Sequence, residues 1–169
     1  MLVSGGAVCL DSRLCYVDAF DFHKLMKAAE MALPNMQQIN RNPQPSIALK
    51  ALDLYQGRFL PADTACVWSI SLRERLQHKF IRFILQDGKA LEEKGRWSEA
   101  IDRYHRVLEV DDLHEEIYQR LMYCHLQLGQ QAEVVYIYQR CKQTLLQKLG
   151  IFLSDQTEAL NKSAMKRTA

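Results

Sequence analysis

The fold is decided by residues 88–104, GKALEEKGRWSEAIDRY, and by a looser copy of this stretch at residues 122–138, MYCHLQLGQQAEVVYIY. In each copy an amphipathic run ends at a glycine and a second amphipathic run follows. The two glycines, Gly95 and Gly129, stand 34 residues apart. A helix–turn–helix unit with this period is typical of tetratricopeptide repeats. The pattern therefore predicts helices paired across glycine turns.

The repeat assignment gives several residues a structural role. We expect Gly88 to lie where two helices approach closely and Ala100 where the second helix packs on the first. Tyr104 is expected to fill the space between repeats, and Tyr138 keeps that aromatic residue in the second copy. The positions predicted to define the repeat are Gly88, Gly95, Ala100, Tyr104, Gly129 and Tyr138.

Composition indicates an ordinary globular protein. The 169 residues are 48% hydrophobic and 25% charged, with a net charge of +2, so no concentrated basic surface for nucleic acid is expected. No apolar run is long enough for a membrane span, and the first residues lack the basic region of a signal peptide. The five cysteines are scattered and odd in number, which favours reduced thiols and a cytoplasmic location.

Helical periodicity extends over most of the chain. It predicts an all-α fold, a tetratricopeptide-like right-handed helical repeat solenoid of about seven helices. A possible short N-terminal β-hairpin is predicted within residues 7–17, with its turn at Asp11–Arg13, and Ser154 is expected to cap the last helix. The expected organisation is a hairpin or linker over residues 1–17, a helical domain over 18–165 and a frayed tail over 166–169.

No pattern for chemistry is complete. The string from His114 begins like a metalloprotease helix, but Tyr118 stands where the second histidine ligand belongs. No activated nucleophile or phosphate-binding glycine loop occurs, so we predict no catalytic residue, no metal, no cofactor and no enzyme activity. The carboxylate pairs Glu92–Glu93 and Glu115–Glu116 lie near helix ends and are predicted to be solvated charges.

Two surfaces are candidates for binding a partner. In repeats of this type the first helix of each pair lines the concave face, which is mixed in charge and partly apolar here. The residues predicted on that face are Arg82, Leu85, Lys89, Glu93, Glu116, Gln119, Tyr123 and Gln127. Most aromatic residues at helical spacing pack in the core. Tyr136 lies on another side of its helix from Tyr138 and is the candidate for an exposed interface aromatic.

Five short strings occur in order along the chain. They are Val17–Asp18; Tyr55-x-Gly57-x-Phe59-Leu60-Pro61 with Trp68 and Arg73–Leu76; Gly95-x-x-x-Glu99-Ala100-Ile101; Asp111–Glu116; and Leu149-Gly150 with Ser154-x-x-Thr157. Together they resemble the bacterial transcriptional activator domain of antibiotic-regulator (SARP-type) and related winged-helix regulators. The likeness runs from about residue 8 to about residue 160. The chain departs from the pattern at Asp112 and Leu153, where the family usually has proline. Asp112 is expected to cap the following helix instead.

The resemblance implies a non-catalytic regulatory domain of a bacterial transcription factor. It implies protein partners: a second copy as a homodimer, neighbouring domains of the same regulator, or RNA polymerase. DNA would be bound only through a winged-helix domain outside this chain. Residues 7–17 resemble the junction that follows such a domain. No membrane or small-molecule partner is expected. The alternative is a generic tetratricopeptide adaptor that binds a peptide in its concave groove and has no link to transcription; a DNA contact by this segment itself comes third.

Overall fold

The computed structural model of the chain describes residues 2–4, 7–9, 16–32, 47–57, 59–60, 62 and 67–166. The chain forms two compact units, residues 1–80 and residues 81–169. The described residues form seven helices after a two-stranded hairpin, so the all-α repeat prediction is confirmed. The elements are β1 Leu2–Ser4, β2 Ala7–Cys9, α1 Asp18–Ala32, α2 Ile47–Leu54, α3 Val67–Glu93, α4 Trp97–Val110, α5 Glu115–Gln127, α6 Gln131–Leu149 and α7 Asp155–Lys166.

The N-terminal hairpin differs from the predicted one in its pairing. β1 and β2 are antiparallel, with Leu2 opposite Cys9 and Ser4 opposite Ala7. The first predicted run, residues 7–9, therefore pairs with the residues before it, and its predicted pairing across a turn at Asp11–Arg13 stays a prediction. The residues of that predicted turn lie outside the described part of the chain. The sequence between the strands is Gly-Gly, which favours a two-residue hairpin turn.

The first unit has an aromatic core. The Tyr55 and Phe80 rings are stacked with centroids 4.3 Å apart, and Phe22 lies 5.1 Å from Tyr55. α1 and α2 pack against each other. The Arg73 side chain donates hydrogen bonds to the backbone oxygens of Phe59 (2.7 Å) and Leu60 (2.8 Å). These bonds hold the irregular segment after α2 on the first half of α3.

In the second unit, both predicted turn glycines end a helix in the same way. Gly95 has φ +69° and Gly129 has φ +71°, the left-handed region that costs other residues energy. After α3, the amide of Gly95 donates to Glu92 and the next amide donates to Leu91. The equivalent two bonds follow α5, where Gly129 donates to Leu126. This pair of bonds is the Schellman motif, and its recurrence makes the two turns equivalent.

The helices of the first repeat touch at Gly88. A Cβ atom on Gly88 would lie 2.5 Å from atoms of the Tyr104 ring, and Tyr104 and Ala100 are fully buried. An ion pair of Arg103 with Asp87 (3.1 Å) lies beside this contact. In the second repeat Tyr138 is half-buried and donates a hydrogen bond to Glu158 of α7 (2.8 Å). α5 packs against α4, α6 and α7.

The turn between the repeats does not use the predicted cap. α5 begins after His114, without a side-chain cap. Instead, Asp111 accepts a hydrogen bond from the Leu113 amide (3.0 Å). The Asp112 carboxylate accepts one from Lys148 of α6 (2.5 Å). The prediction that Asp112 caps α5 is therefore wrong, because its side chain is turned to α6 and Asp111 stabilises the turn.

Candidate partner-binding surface

Three of the residues predicted on the concave face meet at one pocket. Lys89 and Glu93 come from the end of α3, and Tyr123 comes from α5. The pocket has a volume of about 290 Å³. Its remaining walls are Glu92, Trp97 and Arg120. We call this set of six residues the inter-repeat pocket.

Two aromatic rings form one wall of the inter-repeat pocket. The Trp97 and Tyr123 ring centroids lie 5.9 Å apart, with the ring planes at 74°, an edge-to-face contact. The guanidinium carbon of Arg120 lies 5.3 Å from the centre of the Tyr123 ring, within cation–π distance. Trp97 is half-buried and Tyr123 is 37% exposed. The wall is therefore apolar, accessible and already in contact with one cation.

The floor of the pocket is a buried carboxylate that the sequence reasoning placed in solvent. Glu92 is only 5% exposed. It accepts hydrogen bonds from the Tyr104 hydroxyl (2.6 Å) and from Nε of Arg120 (2.9 Å), and its other oxygen pairs with Nη2 of Arg120. Burial raises the pKa of Tyr104, so its hydroxyl stays protonated and donates to Glu92. The prediction that Glu92 is solvated is wrong, since α4 and α5 cover it.

The rim of the pocket carries the other charges. Lys89 and Glu116, one on α3 and one on α5, form an ion pair of 2.9 Å in which both side chains are about half exposed. Such an exposed pair contributes little to stability, on the order of 0.5 kcal/mol. Glu93 is exposed and has no ion-pair or hydrogen-bond partner among the described residues. The Lys89–Glu116 pair therefore adds no net charge to the rim, and Glu93 adds one negative charge.

The remaining predicted residues lie outside the pocket. Arg82 and Gln127 are exposed, and Leu85 is half-buried. Gln119 does not face a groove. Its amide nitrogen donates hydrogen bonds to the hydroxyls of Ser154 and Thr157, each at 3.0 Å. Gln119 therefore attaches α7 to α5.

Glu115 is the centre of this attachment. Its Oε1 accepts hydrogen bonds from the Ser154 amide (2.8 Å), the Ser154 hydroxyl (2.7 Å) and the Thr157 hydroxyl (2.5 Å). Ser154 directly precedes α7, so Glu115 binds a free amide at the start of that helix. We call Glu115, Gln119, Ser154 and Thr157 the Glu115 cluster. The prediction that Glu115 is a solvated charge is wrong, because the α7 N-terminus partly covers it.

Glu115 should make the stability of the chain depend on pH. Burial alone would raise the pKa of Glu115, but the hydrogen bonds from Thr157 and Ser154 outweigh it and hold the pKa below 4.5. A lowered folded-state pKa stabilises the fold above the unfolded value and loses that effect as pH falls through the folded value. Glu115→Gln should therefore cost about 1–2 kcal/mol at pH 7, measured by urea unfolding.

The difference between wild type and Glu115→Gln should shrink steadily as the pH falls through 4.5, the ordinary glutamate pKa, at which the unfolded residue is half protonated. Glu116→Gln is the matched control, since Glu116 is the exposed neighbour. Its cost should be at most about 0.5 kcal/mol. A Glu115→Gln cost that stays constant from pH 7 to pH 3 would show that the carboxylate charge does not matter.

A second surface lies at the end of α6. Four large apolar side chains are exposed there within seven residues, and Phe152 is 85% exposed. We call these residues the apolar segment: Leu146, Leu149, Ile151 and Phe152. Leu146 and Leu149 are three residues apart, so they share one side of the helix. Sequence reasoning missed this surface, although the signal was the run Leu-Gly-Ile-Phe-Leu at the end of a helix.

The exposed aromatic predicted at Tyr136 is also accessible. Tyr136 is 63% exposed on α6, ten residues before Leu146. No other residue of the described part of the chain makes a ring contact with Tyr136. Its exposure fits the expectation, and its role in an interface stays a prediction.

The described part of the chain holds no metal-binding cluster, and the two buried cysteines of the second unit are not reactive thiols. Among the described residues, no three histidine, cysteine or acidic side chains lie close enough to bind one ion. Cys124 and Cys141 are buried and unbridged. Burial raises the pKa of Cys124 to about 11 and that of Cys141 to about 12, so both thiols stay protonated. None of the described helices combines the length and the apolar composition needed to cross a membrane.

Comparison with known families identifies the chain's relationship. The sequence model of a family described as the bacterial transcriptional activator domain matches residues 17–164. No curated protein sequence matches the chain significantly. The matched residues include both repeats, the inter-repeat pocket, the Glu115 cluster and the apolar segment.

Proposed function

Since the chain belongs to the bacterial transcriptional activator domain family, we propose that it is the non-catalytic, self-associating interaction domain of a bacterial transcriptional regulator. Membership of the family links the chain to transcription activation. Family membership does not say how the domain acts, and this mode of action is what we propose. The domain would hold two copies of a regulator together through its own surface and would bind DNA only through a winged-helix domain outside this chain.

The observation that carries self-association is the apolar segment. Contiguous exposed apolar side chains on a soluble protein usually mark a site that another molecule covers. Phe152 is 85% exposed, and Leu149, three residues before it in the sequence, is about half exposed. A large aromatic residue among apolar neighbours is the usual anchor of a protein interface. Lys148 is the one charged residue between Leu146 and Phe152, and it is paired with Asp112 (2.5 Å), so two copies would meet there with little charge repulsion.

A symmetric dimer gives this surface a role in transcription. Most homodimers are isologous, with the same patch on both copies, so one apolar segment suffices for the contact. Dimer geometry in turn sets the distance between two DNA-binding domains and hence the spacing of the half-sites they recognise. Neighbouring domains of the regulator and RNA polymerase remain partners for other surfaces.

Self-association is tested by the mass of the chain in solution. We expect light scattering over a concentration series to show a reversible dimer. Phe152→Ser should raise its dissociation constant about 30-fold or more, because loss of an aromatic anchor costs about 2 kcal/mol. The substituted residue is exposed, so thermal unfolding of the monomer should change little.

Tyr136→Ser is the matched control, because Tyr136 is another exposed aromatic residue on α6. It should leave the dissociation constant within about twofold if the apolar segment is the interface. A monomer at every concentration would contradict self-association. A dimer weakened by Tyr136→Ser and not by Phe152→Ser would instead place the interface at the aromatic predicted from the sequence.

A further inference from the structure

We propose that the inter-repeat pocket binds an arginine side chain presented by a partner protein. This inference relies on the proposed interaction role of the domain, but it does not depend on self-association. The occupant follows from three properties of the pocket: the carboxylate of Glu93, which has no partner among the described residues, the aromatic wall and the size.

The charges of the pocket leave one carboxylate to be neutralised. Arg120 is already held by the buried carboxylate of Glu92, through Nε (2.9 Å) and Nη2. Lys89 is already paired with Glu116 at 2.9 Å. Both wall cations thus have a carboxylate partner, and Glu93 is the wall charge with none among the described residues. A cationic ligand complements this arrangement, whereas an anion would meet Glu93.

The aromatic wall favours a flat cation over a compact one. Trp97 and Tyr123 both line the pocket, and Tyr123 already has a guanidinium group 5.3 Å from its ring centre. Guanidinium is planar and weakly hydrated, so it stacks on aromatic rings more readily than ammonium does. Its fork of N–H donors also matches the two oxygens of a carboxylate. Arginine therefore uses both features of the wall, Trp97 and Glu93.

The size of the pocket fits a side chain. Its volume is about 290 Å³, just below the range of small-molecule sites, which runs from about 300 to 1,000 Å³. The walls are held in place from behind, because Glu92 also accepts the Tyr104 hydroxyl at 2.6 Å. Arg120 cannot move in front of Glu93 without giving up this buried carboxylate. The pocket is thus preorganised, which lowers the cost of binding.

The test uses N-acetyl-arginine N-methylamide as the probe, titrated into the full chain. The readout is the indole N–H signal of Trp97 in a proton–nitrogen NMR spectrum, assigned with the Trp97→Phe variant. We expect a saturable shift with a dissociation constant on the order of 1 mM, the affinity reachable by a ligand of this size. N-acetyl-norleucine N-methylamide, which has a similar chain without the guanidinium group, should produce no saturable shift.

Glu93→Gln should weaken binding of the probe about tenfold, because it removes one charge-assisted contact. Glu133→Gln is the matched control. Glu133 is an exposed carboxylate in the first turn of α6 and does not line the pocket, so its substitution should leave binding unchanged. No saturable shift up to about 50 mM probe, or equal binding to wild type and Glu93→Gln, would overturn the proposal.

Light scattering separates this proposal from self-association. Glu93→Gln should have the same mass in solution as the wild type, since Glu93 lies outside the apolar segment. A dimer that does not bind the probe would contradict only the arginine site. A monomer that binds it in a Glu93-dependent way would contradict only the dimer.

Discussion

Replacing Glu92 with alanine should lower the free energy of unfolding by about 3 kcal/mol. The carboxylate is buried and holds both Arg120 and the Tyr104 hydroxyl. Removing one partner of a buried ion pair typically costs about 3–5 kcal/mol, because the other charge stays behind without compensation. We expect the lower end of this range, since the Arg120 side chain is 28% exposed and retains some water. Urea unfolding measures the effect.

The neighbouring residue supplies the control for this prediction. Glu93→Ala removes an identical side chain one position away, but from an exposed site. It should change stability by at most about 0.5 kcal/mol. The double substitution Glu92→Met with Arg120→Met should cost less than Glu92→Ala alone, because it leaves no unpaired charge. Equal costs for Glu92→Ala and Glu93→Ala would show that the buried pair does not stabilise the fold.

Gly88→Ala should also be strongly destabilising, by about 3 kcal/mol. Alanine is the better helix former, so helix propensity alone predicts a gain of about 1 kcal/mol. The new Cβ, however, would lie 2.5 Å from Cε1, Cζ and the hydroxyl oxygen of Tyr104. That ring is fully buried, and its hydroxyl is bound to Glu92. The ring can move only by losing this hydrogen bond or by separating α3 from α4.

The sign of the change is the decisive measurement for Gly88. Thermal or urea unfolding of Gly88→Ala should show a loss of stability in the wild-type background. In a Tyr104→Leu background, where the ring is absent, the same substitution should be close to neutral or stabilising. A double-mutant cycle gives the coupling between the two positions directly. A stabilising Gly88→Ala in the wild-type background would mean that the helices can separate at no cost.

The repeat was predictable from the sequence because its turns depend on local backbone chemistry. Gly95 and Gly129 both adopt left-handed φ values, which glycine alone adopts without strain. The 34-residue spacing between these two glycines can be read directly from the sequence. The same alignment predicted a close approach of two helices at Gly88, but not that the residue met there is Tyr104. The pairing of Leu2–Ser4 with Ala7–Cys9 was not predicted, because both Gly5-Gly6 and Asp11–Arg13 are turn-forming sequences and the local sequence does not decide between them.

The polar contacts were not predictable in the same way. Glu92 and Arg120 are 28 residues apart and lie on different helices, so no periodicity connects them. One signal was available: Glu92 follows Gly88 by four residues and therefore shares the helix face that the glycine turns towards α4. Glu115 was assigned to solvent because its partners Ser154 and Thr157 come some 40 residues later. Asp111–Glu116 and the string with Ser154 and Thr157 were recognised as two separate family motifs. The structure shows that their side chains are hydrogen-bonded to each other.

The Glu115 cluster also constrains the order in which the chain can fold while it is being synthesised. Its hydrogen bonds join Glu115 to Thr157, which is 42 residues further along the chain. α5 is made before α7 and can pack against α4 and then α6, but Ser154 and Thr157, the donors of the hydrogen bonds to Glu115, are available only after they have left the exit tunnel. Synthesis proceeds from the N-terminus at about 5–20 residues per second, so this interval lasts a few seconds. The second repeat is therefore completed only after the helix that closes it has been translated.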